Sequence, residues 1–360
     1  MNETIGERVA KAIPEGVTRR QIAAKVGIAE DAFSRALHGK RGFSALELAR
    51  LGEALEVDVH ELITGRPDPN RLVLAARHQV DRDTWERTND GAADDKQILA
   101  DVGIALRNAA RVAPQPASTI PQDVEDARAA LGSDFVRPFM ERLRDLGIDV
   151  VRVAGLGTSY SLHVGNRAVI AVPENGNWFR ENWDMAHELG HLVLGHREVD
   201  CTTRNDVDRE EAAANAFAAE LLLPAEEMRA VDWSSVTPAE VAGQVWARGV
   251  STSALATRIG WLKLPVDEDL LAGLDVTTQR YLRLNWKSAG SGDPITIRMK
   301  EAATRSFPDW VVTACLDGVA TGVVRKSLLA WVLGVDEEAL EVEESEAESI
   351  DGDKLMNLLS

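Results

Sequence analysis

The residues best able to do chemistry lie in one short run, His187-Glu188-Leu189-Gly190-His191, inside MAHELGHLVL. Histidines at i and i+4 leave a helix about 40° apart, so both imidazoles share a face and can hold one divalent cation. His187 and His191 are the candidate metal ligands. Glu188, adjacent to the first, can approach a water at such an ion without ligating it. Zinc there lowers the pKa of a water and polarises a carbonyl, while the glutamate takes the proton and passes it to a leaving amine. A catalytic zinc wants three protein ligands and one open position. The third must come from elsewhere, and DREEAAANAFAAELLLP (208–224) offers it on an alanine-rich helix stopped by Pro224. Glu210 and Glu211 in its first turn point about 100° apart, so one of them reaches the metal, and apolar spacing does not decide which. Asn215 follows Glu211 by four residues and could orient its carboxylate.

These helices need a scaffold. IDVVRVAG, YSLHVG and AVIAV are β-rich runs separated by Gly and Asn, which predicts a small sheet at about 148–172 beside the two metal-bearing helices. A helix from about Phe135 to Leu146 precedes it. Residues 71–113 read as helical with a polar break near Asn89-Asp90-Gly91, and PQPASTIPQ (114–122) reads as a linker. From Thr237 onward the chain reads as further helices. Tyr160 and His163 read as packed or exposed strand residues rather than substrate contacts. His196 reads as a surface or outer-sphere residue rather than a ligand, and Cys201 as a plain thiol.

Charge divides the chain. The 360 residues carry a formal net charge of −18, which taken whole argues against nucleic acid. Yet Met1 to Arg66 holds ten basic and ten acidic residues, whereas Asp336 to Asp353 holds ten acidic and no basic ones. The neutral first segment reads as five short helices. Thr18 with Gln21 forms a capping box, Gly27 makes a turn, and the basic turn Gly39-Lys40-Arg41-Gly42 follows the third helix. This is the cadence of a helix-turn-helix. Its second helix would present Ser34, Arg35 and His38 to a groove, with Arg19, Arg20, Lys40 and Arg41 on phosphates. Neutral charge implies weak non-specific affinity, so a homodimer would help. The two cysteines make no disulfide framework or thiolate metal site, and no leader or long apolar run is visible. A cytoplasmic protein without a membrane partner is expected.

HELGH followed by ExxANxFAAELLxP resembles the ImmA/IrrE family of metallopeptidases, over roughly Phe135 to Pro265, and residues 18–42 resemble the XRE type of helix-turn-helix that commonly accompanies it. The resemblance implies metal ligation by His187, His191 and Glu211, so it selects Glu211 over Glu210, and it implies Glu188 as general base and Zn2+ as cofactor. It differs at one place: the family usually has Arg where this chain has Asn182, followed by Trp183 and Asp184. The expected fold is α+β and mostly helical. An XRE-type bundle (1–66) is followed by a helical connector and linker (67–122) and a zincin-like core (123–235). A helical extension (236–335) and an acidic tail (336–360) complete it. The implied function is cleavage of a repressor-like protein by a peptidase fused to an operator-binding domain. The competing expectation is a non-catalytic regulator or antitoxin that uses the zinc fold for sensing.

Overall fold

The computed structural model describes residues 3–14, 16–55, 57–66, 73–76, 79–80, 87–88, 92–196, 204–287 and 292–342. The chain divides into two units, Met1–Arg71 and Leu72–Ser360.

The first unit is five helices: α1 (Ile5–Ala12), α2 (Arg19–Val26), α3 (Glu30–Leu37), α4 (Ala45–Leu55) and α5 (Val59–Thr64). Their starts are written locally. Thr4 with Glu7 and Thr18 with Gln21 form reciprocal capping boxes, and Asp58 caps α5 through the His60 amide. Gly27 ends α2 in the left-handed conformation. Val9, Ile22, Val26, Phe33, Leu51 and Leu62 meet in one apolar cluster.

The second unit is built on a four-stranded sheet of order β1-β5-β6-β4. Its strands are β1 (Val73–Ala76), β4 (Asp149–Val153), β5 (Tyr160–Val164) and β6 (Arg167–Pro173); β2 (Gln79–Val80) and β3 (Arg87–Thr88) form a separate pair. The β5 strand is antiparallel to both β1 and β6, and β4 runs parallel to β6. Strand side chains alternate faces, and the core divides accordingly. Val150, Ile170 and Val172 face one apolar cluster, while Val151, Val153, Val169 and Ala171 face another.

Helices cover both faces. The long α6 (Ala92–Val112) contributes to the second cluster, and α7 (Val124–Leu131) and α8 (Phe139–Asp145) to the first. After β6 come α9 (Trp178–Leu194), α10 (Arg204–Leu222), α11 (Ala225–Arg229), α12 (Pro238–Arg248) and α13 (Thr252–Trp261). Then follow α14 (Glu268–Gly273), α15 (Thr278–Asn285), α16 (Pro294–Ala302), α17 (Asp309–Ala320) and α18 (Lys326–Leu333). The α9 helix packs on β6 and α10, while α17 packs on α6 and α18. Two buried ion pairs fix the sheet: Arg152 of β4 clamps Glu181 of α9 at 2.6 and 2.7 Å, and Arg167 clamps Asp149 at 2.9 and 2.7 Å. Trp310 Nε1 also donates to Asp149. Among the described residues no helix is long and apolar enough to cross a membrane.

The mostly helical α+β fold and the sheet near 148–172 agree with the sequence reading. The beginning of the segment 71–113 does not. Val73–Ala76 is a strand that pairs with Tyr160–His163, and the helix α6 begins only at Ala92. Val-Leu-Ala-Ala carries no helix-breaking signal; the open edge of β5 decides its conformation, a case of tertiary context overriding propensity. Residues 114–122, read as a linker, are stitched to the core. The Ser118 amide donates to Asn166 O at 3.1 Å, the Thr119 amide to Leu146 O at 2.8 Å, and the Ala168 amide to Ser118 Oγ at 2.8 Å. Cys201 and the acidic tail beyond Val342 lie outside the described residues.

Candidate metal centre

Helix α9 starts where Asn177 caps the Arg180 amide, and it carries His187, Glu188 and His191 into the interior. Two polar side chains set its position. Glu181 is held by Arg152, and Asn182, fully buried, donates from Nδ2 to Gly249 O at 3.0 Å, tying the helix to the turn between α12 and α13. The position where the resembled family has Arg is thus a structural tie here.

Helix α10 crosses α9 at Gly190. A Cβ on Gly190 would lie 3.1 Å from Phe217 Cβ and 3.2 Å from Ala214 O, so the absence of a side chain permits the approach. That approach brings Glu211 to the histidine pair. His187 Nε2 and His191 Nε2 are 3.0 Å apart, and each lies 3.4 Å from one oxygen of the Glu211 carboxylate. His187 and Glu188 are fully buried, His191 is 3% exposed and the Glu211 side chain 15%.

The donor set suits a tetrahedral ion. Ligand atoms 2.0–2.1 Å from zinc and at tetrahedral angles stand about 3.3 Å apart. The observed separations of 3.0, 3.4 and 3.4 Å are close to that edge. The same ring nitrogen of each histidine faces the other, an arrangement that two neutral imidazoles satisfy only by sharing a proton and that a cation satisfies with both lone pairs. His187, His191 and Glu211 are the group whose ligand atoms converge within 4.8 Å. Glu210 contributes charge to His191 and His196 but is not part of that group.

Electrostatics follow from this crowding. Burial raises the Glu211 carboxyl, but hydrogen bonds and charge from His187 and His191 outweigh it and bring its pKa down to about 2. Burial pulls the His191 imidazole down, yet the Glu211 carboxylate, with charge from Glu188 and Glu210, holds it above its ordinary value.

Two contributions carry no sequence signal. Ser159, immediately before β5, is fully buried and donates from Oγ to Glu188 Oε1 at 2.9 Å. Asp95 of α6 braces the loop that carries it, accepting from the Gly157 amide at 2.9 Å and from Tyr160 Oη at 2.7 Å. Tyr160 is therefore a packed strand residue, as expected. Glu188 Oε2 has no protein partner among the described residues.

Asn215 requires a correction. Its Nδ2 donates to the backbone carbonyl of Glu211 at 2.9 Å, not to the carboxylate. A short side chain four residues along its own helix reaches the i−4 carbonyl more readily than a neighbouring residue's head group.

In the first unit Arg19, Arg20, Ser34, Arg35, His38 and Lys40 are placed on α2, on α3 and in the turn after it, and all six are exposed. Glu30 and Asp31, awkward on a groove-facing helix, pair with Arg20 at 3.8 Å and Arg35 at 3.3 Å, both at exposed positions where such pairs are weak. Arg41 departs from the expected phosphate role. Its guanidinium donates to both Glu47 oxygens, at 3.2 and 2.8 Å, and to Ala32 O at 2.9 Å, so it links α3 to α4. Glu47 offers that carboxylate because it closes the capping box with Ser44.

Residues 143–260 match the model of the IrrE N-terminal-like domain, Peptidase_M78. The match covers about a third of the chain and supports the ImmA/IrrE family for this segment. The match spans β4 to α13 and includes every residue of the convergent triad. A match to a peptidase family points to peptidase chemistry at this site. Neither the curated proteins nor the solved structures returned a match.

An ion bound in the IrrE-like domain would compete with protonation of His191. With its pKa held above the ordinary 6.5, zinc affinity should begin to fall above pH 6.5 as the solution is acidified, by up to about tenfold per pH unit for one displaced proton. Competition against a chromophoric chelator across that range checks this, and an affinity independent of pH would contradict it.

Proposed function

We propose that this chain is a zinc-dependent endopeptidase fused to a DNA-binding domain, acting in the cytoplasm on a repressor-like regulatory protein and so switching transcription in a stress response or a mobile element. The observation that carries the peptidase reading is the arrangement around Glu188: a buried carboxylate next to a convergent His187, His191 and Glu211, with one oxygen held by Ser159 and the other without a protein partner among the described residues.

His187, His191 and Glu211 would hold the ion. Bound there, zinc supplies a Lewis acid for the scissile carbonyl and lowers the pKa of a water. Ser159 Oγ fixes Glu188 Oε1, which leaves Oε2 to accept the proton from the attacking water and deliver it to the departing amine nitrogen. Burial of His187 and Glu188 removes competing solvent and strengthens each of these interactions.

The same complete burial favours a second reading, in which the fold is a regulator or antitoxin that senses through its metal site without turnover. The two separate at Glu188. Glu188→Gln keeps the ligand set and removes the base, so zinc binding should persist while cleavage of a candidate repressor, read by mass spectrometry, falls at least about a hundredfold. A Gln variant that still cuts would rule out this mechanism, and a wild-type chain that binds zinc without cutting would favour the regulator.

For the first unit, exposed Arg35 on α3 supports groove reading, and Arg19, Arg20 and Lys40 support phosphate contacts. Arg35→Ala should relax base preference at one operator position by about 1–3 kcal/mol in a binding-site selection. An unchanged preference would argue against α3 as the reading helix.

A further inference from the structure

We infer that His196 is a positioning residue of the metal centre, which fixes the imidazole of His191 from behind so that its Nε2 faces the ion. This rests on the reading of His187, His191 and Glu211 as metal ligands.

Helix α9 stops in a particular way. Gly195, at φ +70°, reverses the chain in the left-handed conformation, and its amide donates to the carbonyls of His191 and Leu192. The His196 amide then donates to His191 O at 3.0 Å. This is a Schellman ending, in which the residue after the glycine returns over the residue five earlier, and two apolar side chains normally meet there. Here the pair is two imidazoles. His191 Nδ1 and His196 Nδ1 are 3.0 Å apart, with ring planes inclined at 68°.

That contact determines which nitrogen of His191 is free for a metal. One of the two Nδ1 atoms must donate and the other accept. A proton on His191 Nδ1 leaves the lone pair on Nε2, the atom that faces His187 Nε2 and Glu211. His196 therefore accepts. Helix ending and ligand orientation are thus one device, written as His-Leu-Val-Leu-Gly-His at 191–196. The two ligating histidines differ in this respect, because His187 Nδ1 has no partner among the described residues and packing holds its fully buried ring.

The test uses the full chain with zinc alone as the probe, and measures affinity by chelator competition. His196→Phe keeps a ring over the last turn but cannot accept a hydrogen bond, whereas His196→Asn keeps an acceptor. The Phe variant should bind one zinc about 10- to 100-fold more weakly than wild type, with an unchanged thermal midpoint of the metal-free chain, and the Asn variant should recover part of the loss. Equal zinc affinity in wild type and His196→Phe would overturn the inference while leaving the metal site intact. Zinc uptake that is the same in wild type and His187→Ala would overturn the site reading itself, and this inference with it. Should the Phe variant not fold, the ring-nitrogen chemical shifts of His191 in the wild-type zinc form decide. A protonated Nδ1 supports the inference, and an unprotonated or metal-bound Nδ1 overturns it.

Discussion

The second unit depends on how closely α9 and α10 can approach. At Gly190 the helices meet closely, since a Cβ there would stand 3.1 Å from Phe217 Cβ, tighter than an ordinary van der Waals contact. Phe217 and the Ala214 carbonyl of α10 make the other half of that contact. The short distance between the helices lets a glutamate from α10 reach two histidines of α9, and a side chain at position 190 would press on Phe217 and on the Ala214 carbonyl of α10. Outward from this contact, the structure holds α9 in place at three points. Arg152 grips Glu181 from the sheet, Asn182 reaches the Gly249 carbonyl, and Ser159 holds Glu188 from the mouth of β5.

Burial gives these polar groups their strength and also constrains them. A fully buried His187 and Glu188 would be costly without partners, because desolvation of a charged or polar group amounts to several kcal/mol. The centre meets that cost by convergence. The Glu211 carboxyl is brought down to a pKa of about 2 because the two imidazoles surround it, and the His191 imidazole is held above its ordinary value by the carboxylates around it. A divalent cation can replace the shared protons, and the three donors already stand at the separations such an ion imposes.

Local signals make part of this legible in the sequence. His187 and His191 at i and i+4 require only helical geometry, and the capping box at Thr18 fixes a helix start in the first unit. What the sequence hides is long-range. Ser159 lies 29 residues before Glu188, and Asp95 lies 65 residues before Tyr160, so no spacing rule links them. Strand β1 is invisible there because its conformation comes from the β5 edge and not from Val-Leu-Ala-Ala itself. Arg41 misleads because a basic residue in an exposed-looking turn says nothing about a carboxylate six residues on. The choice of Glu211 over Glu210 comes from family resemblance alone, and helix geometry leaves it open. Cys315 behaves as an inert core thiol, fully buried and with its pKa pushed up to about 11 by that burial.

Two helices in close contact bring together three residues that could hold a metal ion, and everything proposed for the second unit follows from that assembly. X-ray absorption at the zinc edge, on the full chain loaded with one equivalent, tests it most directly. The spectrum should show two imidazole nitrogens and one carboxylate oxygen at about 2.0–2.2 Å, with low coordination number and loss of the imidazole signature in a His187→Ala, His191→Ala double variant. A six-coordinate, all-oxygen shell, or a spectrum that the double variant leaves unchanged, would contradict it.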